Sequence, residues 1–340
     1  MAGKFGRLEY PGGMMNNPPQ KPDSYPLKLK KVIIAGHYGF CMGVKRAIAI
    51  VEETMSSHEK VSILNEIVHN DAVVRKFSDA GVGQLHSIDE IDHGTIIISA
   101  HGASPEIIKK AQQRGLNIVD ATCPLVIRIH KIIKKLAEDG YEIIHFGDVR
   151  HDETKGIVGH APDKVLVVSS LKDFRQLKIT GGRLALTSQT TAHMADFLKV
   201  EKAARRRFPQ VKVFNTICNS THQRQQAILE LAPQVDVMLV VGSRTSANST
   251  RLAQISKKIC KRSYLINGGE DIKRSWLVSK NHAAETVGLS AGASTPDFLI
   301  SGAIKRLRSL AGRPIEVIYP GRKKDRTELT LDRRCSEVDG

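Results

Sequence analysis

Aromatic side chains are scarce in this sequence: they account for 5% of its 340 residues, and Trp276 is the only tryptophan. Cores must therefore be built from Ile, Val, Leu and Ala. No apolar run approaches the roughly 18 residues that a membrane-spanning helix needs, so no membrane partner is expected. The first 31 residues lack the apolar stretch of a secretory signal and are too poor in Ser and Arg for an organellar transit peptide. With six basic and two acidic side chains and five prolines (Pro11, Pro18, Pro19, Pro22, Pro26), they read as a disordered extension. The protein is expected in the cytoplasm. Acidic residues are also in short supply, 35 Asp and Glu against 51 Lys and Arg, for a net charge of +16. No nucleic-acid motif accompanies that charge, so no nucleic-acid partner is expected. A basic surface bias and the docking of an acidic protein remain as explanations.

Cysteine is sparse too. Cys41, Cys123, Cys218, Cys260 and Cys335 form no CxxC pair, which excludes zinc-ribbon and thioredoxin-like sites. In a chain of cytosolic type, metal binding, catalysis or simple burial are the remaining roles.

Short apolar strands alternate with amphipathic helices from residue 32 to about 318, the pattern of an α/β fold. Strands are predicted at Val32–Ala35, Ile96–Ser99, Glu142–Phe146, Val165–Val168, Leu184–Thr187, Val211–Phe214, Val237–Val241, Tyr264–Ile266 and Thr286–Leu289. Val44, Ala47, Ile48, Val51 and Met55 fall on one face of a helix, as do Leu125, Ile129, Ile132 and Leu136. Ser104-Pro105 supplies a cap and a first-turn proline for another helix, ended by Gly115.

Cys41, Cys123 and Cys218 share a setting. Each follows a short apolar strand and precedes a helix, at separations close to the size of one small α/β unit. The positive end of a helix favours the thiolate that binds metal. Three such units meeting at a centre could each contribute one sulfur. Cys260, among Lys257, Lys258, Lys261 and Arg262, and Cys335, in a polar tail, lack this setting. The segment Gly242-Ser243-Arg244-Thr245-Ser246-Ala247-Asn248 follows a strand and opens a helix, where its hydroxyls, amide and free N–H groups make either a cap or an anion site. It is not a Walker A loop, since no Gly-Lys-Ser/Thr follows.

The sequences around the cysteines carry a resemblance. Gly39-Phe40-Cys41-Met42-Gly43-Val44, Asp120-Ala121-Thr122-Cys123-Pro124-Leu125-Val126 and Ile217-Cys218 with Thr221 and Arg224-Gln225 resemble the three cysteine motifs of the LytB/IspH reductases. Glu66-Ile67-Val68-His69-Asn70, Ser99-Ala100-His101-Gly102, His151-Asp152-Glu153, Gln189-Thr190-Thr191, Val241-Gly242-Ser243 and Ala291-Gly292-Ala293-Ser294-Thr295-Pro296-Asp297 follow the same family order. The match covers about residues 32 to 300.

The resemblance implies three small α/β domains in a pseudo-three-fold trefoil around a central 4Fe–4S cluster. Its divisions would be a first lobe at 32–122 (with strand 32–40 joining the third lobe), a second at 123–214 and a third at 215–300. The extension at 1–31 and a helix, strand and basic tail at 301–340 would flank them. It implies reductive dehydroxylation of 4-hydroxy-3-methylbut-2-enyl diphosphate, with a ferredoxin or flavodoxin as electron donor. Cys41, Cys123 and Cys218 would hold the cluster and leave one iron with an open position. His69, His101, His151, Ser246, Asn248 and Ser294 would bind the diphosphate. Glu153 and Thr190 would deliver protons. Asp152, Thr154, Lys155 and Ala247 depart from the family pattern, which leaves room for a diverged paralogue acting on another allylic diphosphate, or for a non-catalytic iron–sulfur protein.

Overall fold

Each strand that enters the core is apolar along most of its length, which suits parallel sheets covered by helices on both faces. The computed structural model describes residues 25–58, 60–179 and 182–320. Strand β1 (Lys31–Ile34) leads through a loop to Cys41 and helix α1 (Met42–Ser57). The first lobe then runs β2 (Val61–Leu64), α2 (Asp71–Asp79), β3 (Gly83–Leu85), β4 (Thr95–Ile98), α3 (Pro105–Gln113) and β5 (Asn117–Asp120). The second comprises α4 (Pro124–Glu138), β6 (Glu142–Phe146), α5 (Asp152–Gly159), β7 (Val165–Val168), α6 (Leu171–Gln176), β8 (Leu184–Ser188), α7 (Met194–Arg207) and β9 (Lys212–Val213). The third comprises α8 (Asn219–Leu231), β10 (Val237–Val241), α9 (Ala247–Ile259), β11 (Ser263–Ile266) and α10 (Arg274–Leu277). The hairpin β12 (Val278–Ser279) and β13 (His282–Ala283), then β14 (Thr286–Ala291), α11 (Asp297–Ala311) and β15 (Glu316–Ile318), complete it.

The three main sheets repeat one topology. Their strand orders are β3-β2-β4-β5, β7-β6-β8-β9 and β11-β10-β14-β1-β15, with every ladder parallel. Numbered within each lobe, all three read second-first-third-fourth. In the third lobe the fourth strand is β1, supplied from the start of the described chain, with Ile34 opposite Leu289 of β14.

Alternation along the strands builds a core on each face of a sheet. In β10, Val237, Leu239 and Val241 pack into one cluster and Met238 and Val240 into another. Strand β4 divides Ile97 from Ile96 and Ile98 in the same way, and β6 divides Ile144 and Phe146 from Ile143.

Strands β2, β3, β5, β12 and β13 add to the set expected from the sequence. The edge strands β3 and β5 are only partly buried, so they lack the continuous apolar signal. The segment at 211–214 shortens to β9. On α4 the buried stripe is Val126, Ile129, Ile133 and Leu136, and Leu125 turns outward, 38% exposed. The expected disorder over 1–31 does not hold from residue 25 onward. Leu29 is wholly buried in the third-lobe core, and Arg274 donates to the Tyr25 carbonyl at 2.7 Å. Residues 1–24, Cys335 and the basic tail from 321 lie outside the described residues. Among the described residues, no helix is long and apolar enough to cross a membrane.

Because β1 closes the third sheet, its core residues should contribute to global stability. Ile34→Ala, at a wholly buried position, is expected to cost about 2–5 kcal/mol, read from urea unfolding. A cost below about 0.5 kcal/mol would mean that β1 is peripheral to the fold.

Candidate active site

Parallel strands end at the same edge, and α/β proteins place ligands beyond the carboxyl ends of their strands. The repeated topology sorts the candidate residues accordingly. First strands lead to His69, His151 and Ser246, third strands to His101, Thr190 and Ser294, and fourth strands to Cys123, Cys218 and Cys41. All of these, with Glu153 and Asn248, line one cavity of about 110 Å³. It adjoins a wider cleft of about 650 Å³ that shares His69, His151, Thr191 and Ala247. Cys260 lies elsewhere. It is buried at the end of α9, its Sγ 3.6–3.8 Å from the carbonyls of Val235, Asp236 and Arg262.

Cys41, Cys123 and Cys218 each occupy the N-cap position, of α1, α4 and α8 respectively, with no side-chain cap bond of their own. Helices α1, α4, α8 and α9 have no acidic residue in their first turns, nor does the four-residue α10, which lies away from the cavity lining. By contrast α2, α3, α5, α6, α7 and α11 each have at least one. The helix ends that meet at the cavity by their cysteines, or by Ser246, thus keep their positive potential free for an anionic occupant. The glycine at position 43 brings α1 close to Cys123, since a Cβ there would lie 2.7 Å from that sulfur.

Backbone N–H groups pull the Cys123 and Cys218 thiols down, as expected of helix ends, but burial is the larger influence and pushes both up. A coordinated metal reverses that balance outright.

Among the described residues, the metal-capable atoms of His69, His101 and His151 lie within 4.8 Å of one another. The three thiols line the same cavity, and as thiolates they suit soft metals and iron–sulfur clusters.

The histidine trio suits anion binding better than a single ion. The rings of His69 and His101 are stacked, with centroids 4.1 Å apart and planes 21° from parallel. Ring lone pairs lie in the ring plane, so two stacked rings cannot readily converge on one ion. They can present N–H donors to separate oxygens of a polyanion. His151 stands edge-on to both, at 5.0 and 5.4 Å. Its Nδ1 accepts the Glu153 backbone N–H at 3.2 Å, capping α5, which leaves Nε2 as the donor of the neutral ring. Burial, and then the His69 charge, hold His151 down to about 4. Burial, then His69 and His151, hold His101 well below its ordinary value. Nδ1 of His69 meets the Glu66 carboxylate at 2.8 Å.

Glu153 is 2% exposed, and its two oxygens accept from the backbone N–H and the hydroxyl of Thr190 at 2.7 and 2.6 Å. Burial pushes its carboxyl up, against the downward pull of those bonds and of His69. Asp152 pairs with Lys155 at 3.1 Å, so one departure from the family pattern offsets another.

Both polar atoms of the Asn248 side chain are buried without a partner. The Ser246 hydroxyl caps α9 through the Ser249 N–H at 3.3 Å and keeps its own proton to donate. Ser294 is not a helix cap, a role that falls to Pro296. Its hydroxyl donates to the His69 carbonyl at 2.9 Å, fastening the third lobe to the first. Glu66 and Arg224 lie within the quoted motifs, but sequence reasoning assigned them no role. Their signal appears only as a partner in space.

A family description, LytB protein, matches residues 32–308. The chain belongs to the LytB protein family. Two curated members are each named 4-hydroxy-3-methylbut-2-enyl diphosphate reductase. The protein of Campylobacter hominis is 37% identical over 282 residues, 82% of this chain and 99% of its own. That of Pelobacter propionicus is 40% identical over 277 residues, 82% and 97%. In the solved structures, an E-1-hydroxy-2-methyl-but-2-enyl-4-diphosphate reductase from Plasmodium falciparum is similar at a TM-score of 0.80 and 29% identity, over 87% of this chain and 93% of that one.

The capping role of His151 gives stability a pH dependence. Its folded value lies below its ordinary 6.5, so its contribution is present above pH 6.5 and lost as the pH falls toward 4. His151→Asn keeps a cap acceptor that does not titrate. The urea midpoint of the wild type should therefore fall more steeply over that range than that of the variant. Parallel curves would show that this ring nitrogen is not the group acid attacks.

Proposed function

We propose that this protein is a 4-hydroxy-3-methylbut-2-enyl diphosphate reductase, the terminal enzyme of the non-mevalonate isoprenoid pathway. The observation that carries the reading is the single cavity lined by three thiols, three histidines, Glu153, Thr190, Ser246, Asn248 and Ser294, in a chain whose relatives bear that name. The reaction removes the substrate hydroxyl as water by adding two electrons and two protons, and yields isopentenyl and dimethylallyl diphosphate.

A metal cofactor follows from the family, and three thiols lining one cavity favour a 4Fe–4S cluster held by Cys41, Cys123 and Cys218. When bound it supplies electrons and Lewis acidity toward a substrate oxygen. His69 and His101 offer parallel donors to the diphosphate, His151 donates from Nε2, and Asn248 and Ser246 complete the clamp. Ser294 joins it once its proton turns from the His69 carbonyl. Glu153 serves as the proton source. Its burial favours the protonated carboxyl at higher pH than usual, and the 2.6 Å contact with Thr190 lets that hydroxyl accept from the acid while donating to substrate. The electron donor is an acidic protein of the ferredoxin or flavodoxin kind. The net charge of +16 supports this, as do Met42, 79% exposed beside Cys41, and the exposed Lys45 and Arg128 one turn along α1 and α4.

The test is anaerobic reconstitution with iron and sulfide, followed by turnover of the diphosphate substrate. Cys41→Ser, Cys123→Ser and Cys218→Ser should each lose iron and turnover, while Cys260→Ser keeps both. Equal loss at Cys260, or an iron-loaded wild type inert toward this substrate, would overturn the reading.

Glu153→Gln separates proton delivery from binding. Its maximal rate should fall by roughly 10²–10⁴-fold with substrate affinity retained. A raised Michaelis constant at an unchanged rate would assign Glu153 to binding instead.

A further inference from the structure

Among the described residues, Arg224 is a buried cation with no carboxylate partner. It sits on α8, six residues after Cys218, and is 5% exposed. Nη1 donates to the Ser220 carbonyl at 2.8 Å and to the Ser220 hydroxyl, and Nη2 donates to the Gly39 carbonyl. Its Nε is buried and bonded to nothing. Ser220 lies two residues after Cys218, and Gly39 two before Cys41, so the guanidinium bridges two cysteine-bearing segments far apart in the sequence.

The other buried ionisable groups of the site can shed their charge: Glu153 by taking a proton, the histidines by losing one. A guanidinium cannot. An isolated buried charge is strongly unfavourable unless it is paired. The ionisable groups that act on Arg224 are the thiols of Cys41 and Cys218, which pull it up against the downward influence of burial. A metal held by those thiols would fix negative charge beside the guanidinium.

We infer that Arg224 is the built-in counter-charge of the cluster, a positioning residue that favours its reduced state and fastens the Cys41 loop to α8. This rests on the cluster reading of the site given above. A cluster with three thiolate ligands is net negative and becomes more so on each reduction, so a fixed cation in the dry interior stabilises the reduced form.

The inference predicts opposite effects on the empty and loaded protein. Arg224→Met removes an uncompensated charge, so the metal-free variant should unfold at higher urea than the metal-free wild type. Once reconstituted, it should lose iron to a chelator faster. Its one-electron reduction should be at least tenfold less favourable, equivalent to a potential about 59 mV more negative. Arg224→Gln, which keeps an amide for the Gly39 carbonyl, should follow Met in potential. Arg224→Lys, which keeps the charge, should stay near wild type. The Gln and Lys pair decides the matter if Met fails to fold.

A structural tie alone would lower the stability of the metal-free Met and Gln variants and leave their potential unchanged, and that result overturns the inference. So does a Lys variant displaced as far as Gln. A wild type that takes up no iron defeats the cluster reading itself, and is seen before any variant is compared.

Discussion

Helix N-termini carry partial positive charge, and several aimed at one point repel one another unless an anion lies between them. Helices α1, α4 and α8 are aimed in this way. Each starts one residue after a cysteine and lacks an acidic residue in its first turn. Arg224 adds a full positive charge to the same place. On the proposed reading, the thiols beside it offset this concentration by becoming anionic when they bind metal.

The scaffold reaches this arrangement by repetition. Three parallel sheets share one strand order, and their fourth strands all end at a cysteine. The third sheet takes its fourth strand, β1, from the beginning of the described chain. That long-range pairing brings Cys41 to the sulfurs of the other two lobes. Closure of the third sheet and assembly of the centre are thus one event, since β1 cannot pair with β14 without delivering the Cys41 loop.

Around the sulfurs, burial sets the chemistry. It lowers His101 and His151, which favours neutral donors, and it pushes the Glu153 carboxyl up toward its protonated form. Individual bonds then set direction. The Glu153 N–H fixes which His151 nitrogen donates into the cavity, and Thr190 holds both carboxyl oxygens.

Much of this was legible in the sequence. The period of apolar residues determined the alternation of strands and helices, because backbone geometry repeats locally. The cysteines could be assigned to strand–helix junctions, and local motifs singled out the residues that line the cavity. Legibility failed where the deciding quantity was a distance or an environment. The edge strands β3 and β5 lacked continuous apolar character, and Leu29 looked like part of a polar extension until the third-lobe core enclosed it. Burial pushes the Cys123 and Cys218 thiols up against the pull of the helix ends, and the depth of burial is not written in neighbouring residues. Arg224 passed as one of 51 basic side chains. Its burial between Gly39 and Ser220 comes from packing segments 185 residues apart, and only the tertiary structure could decide that no carboxylate among the described residues answers its charge.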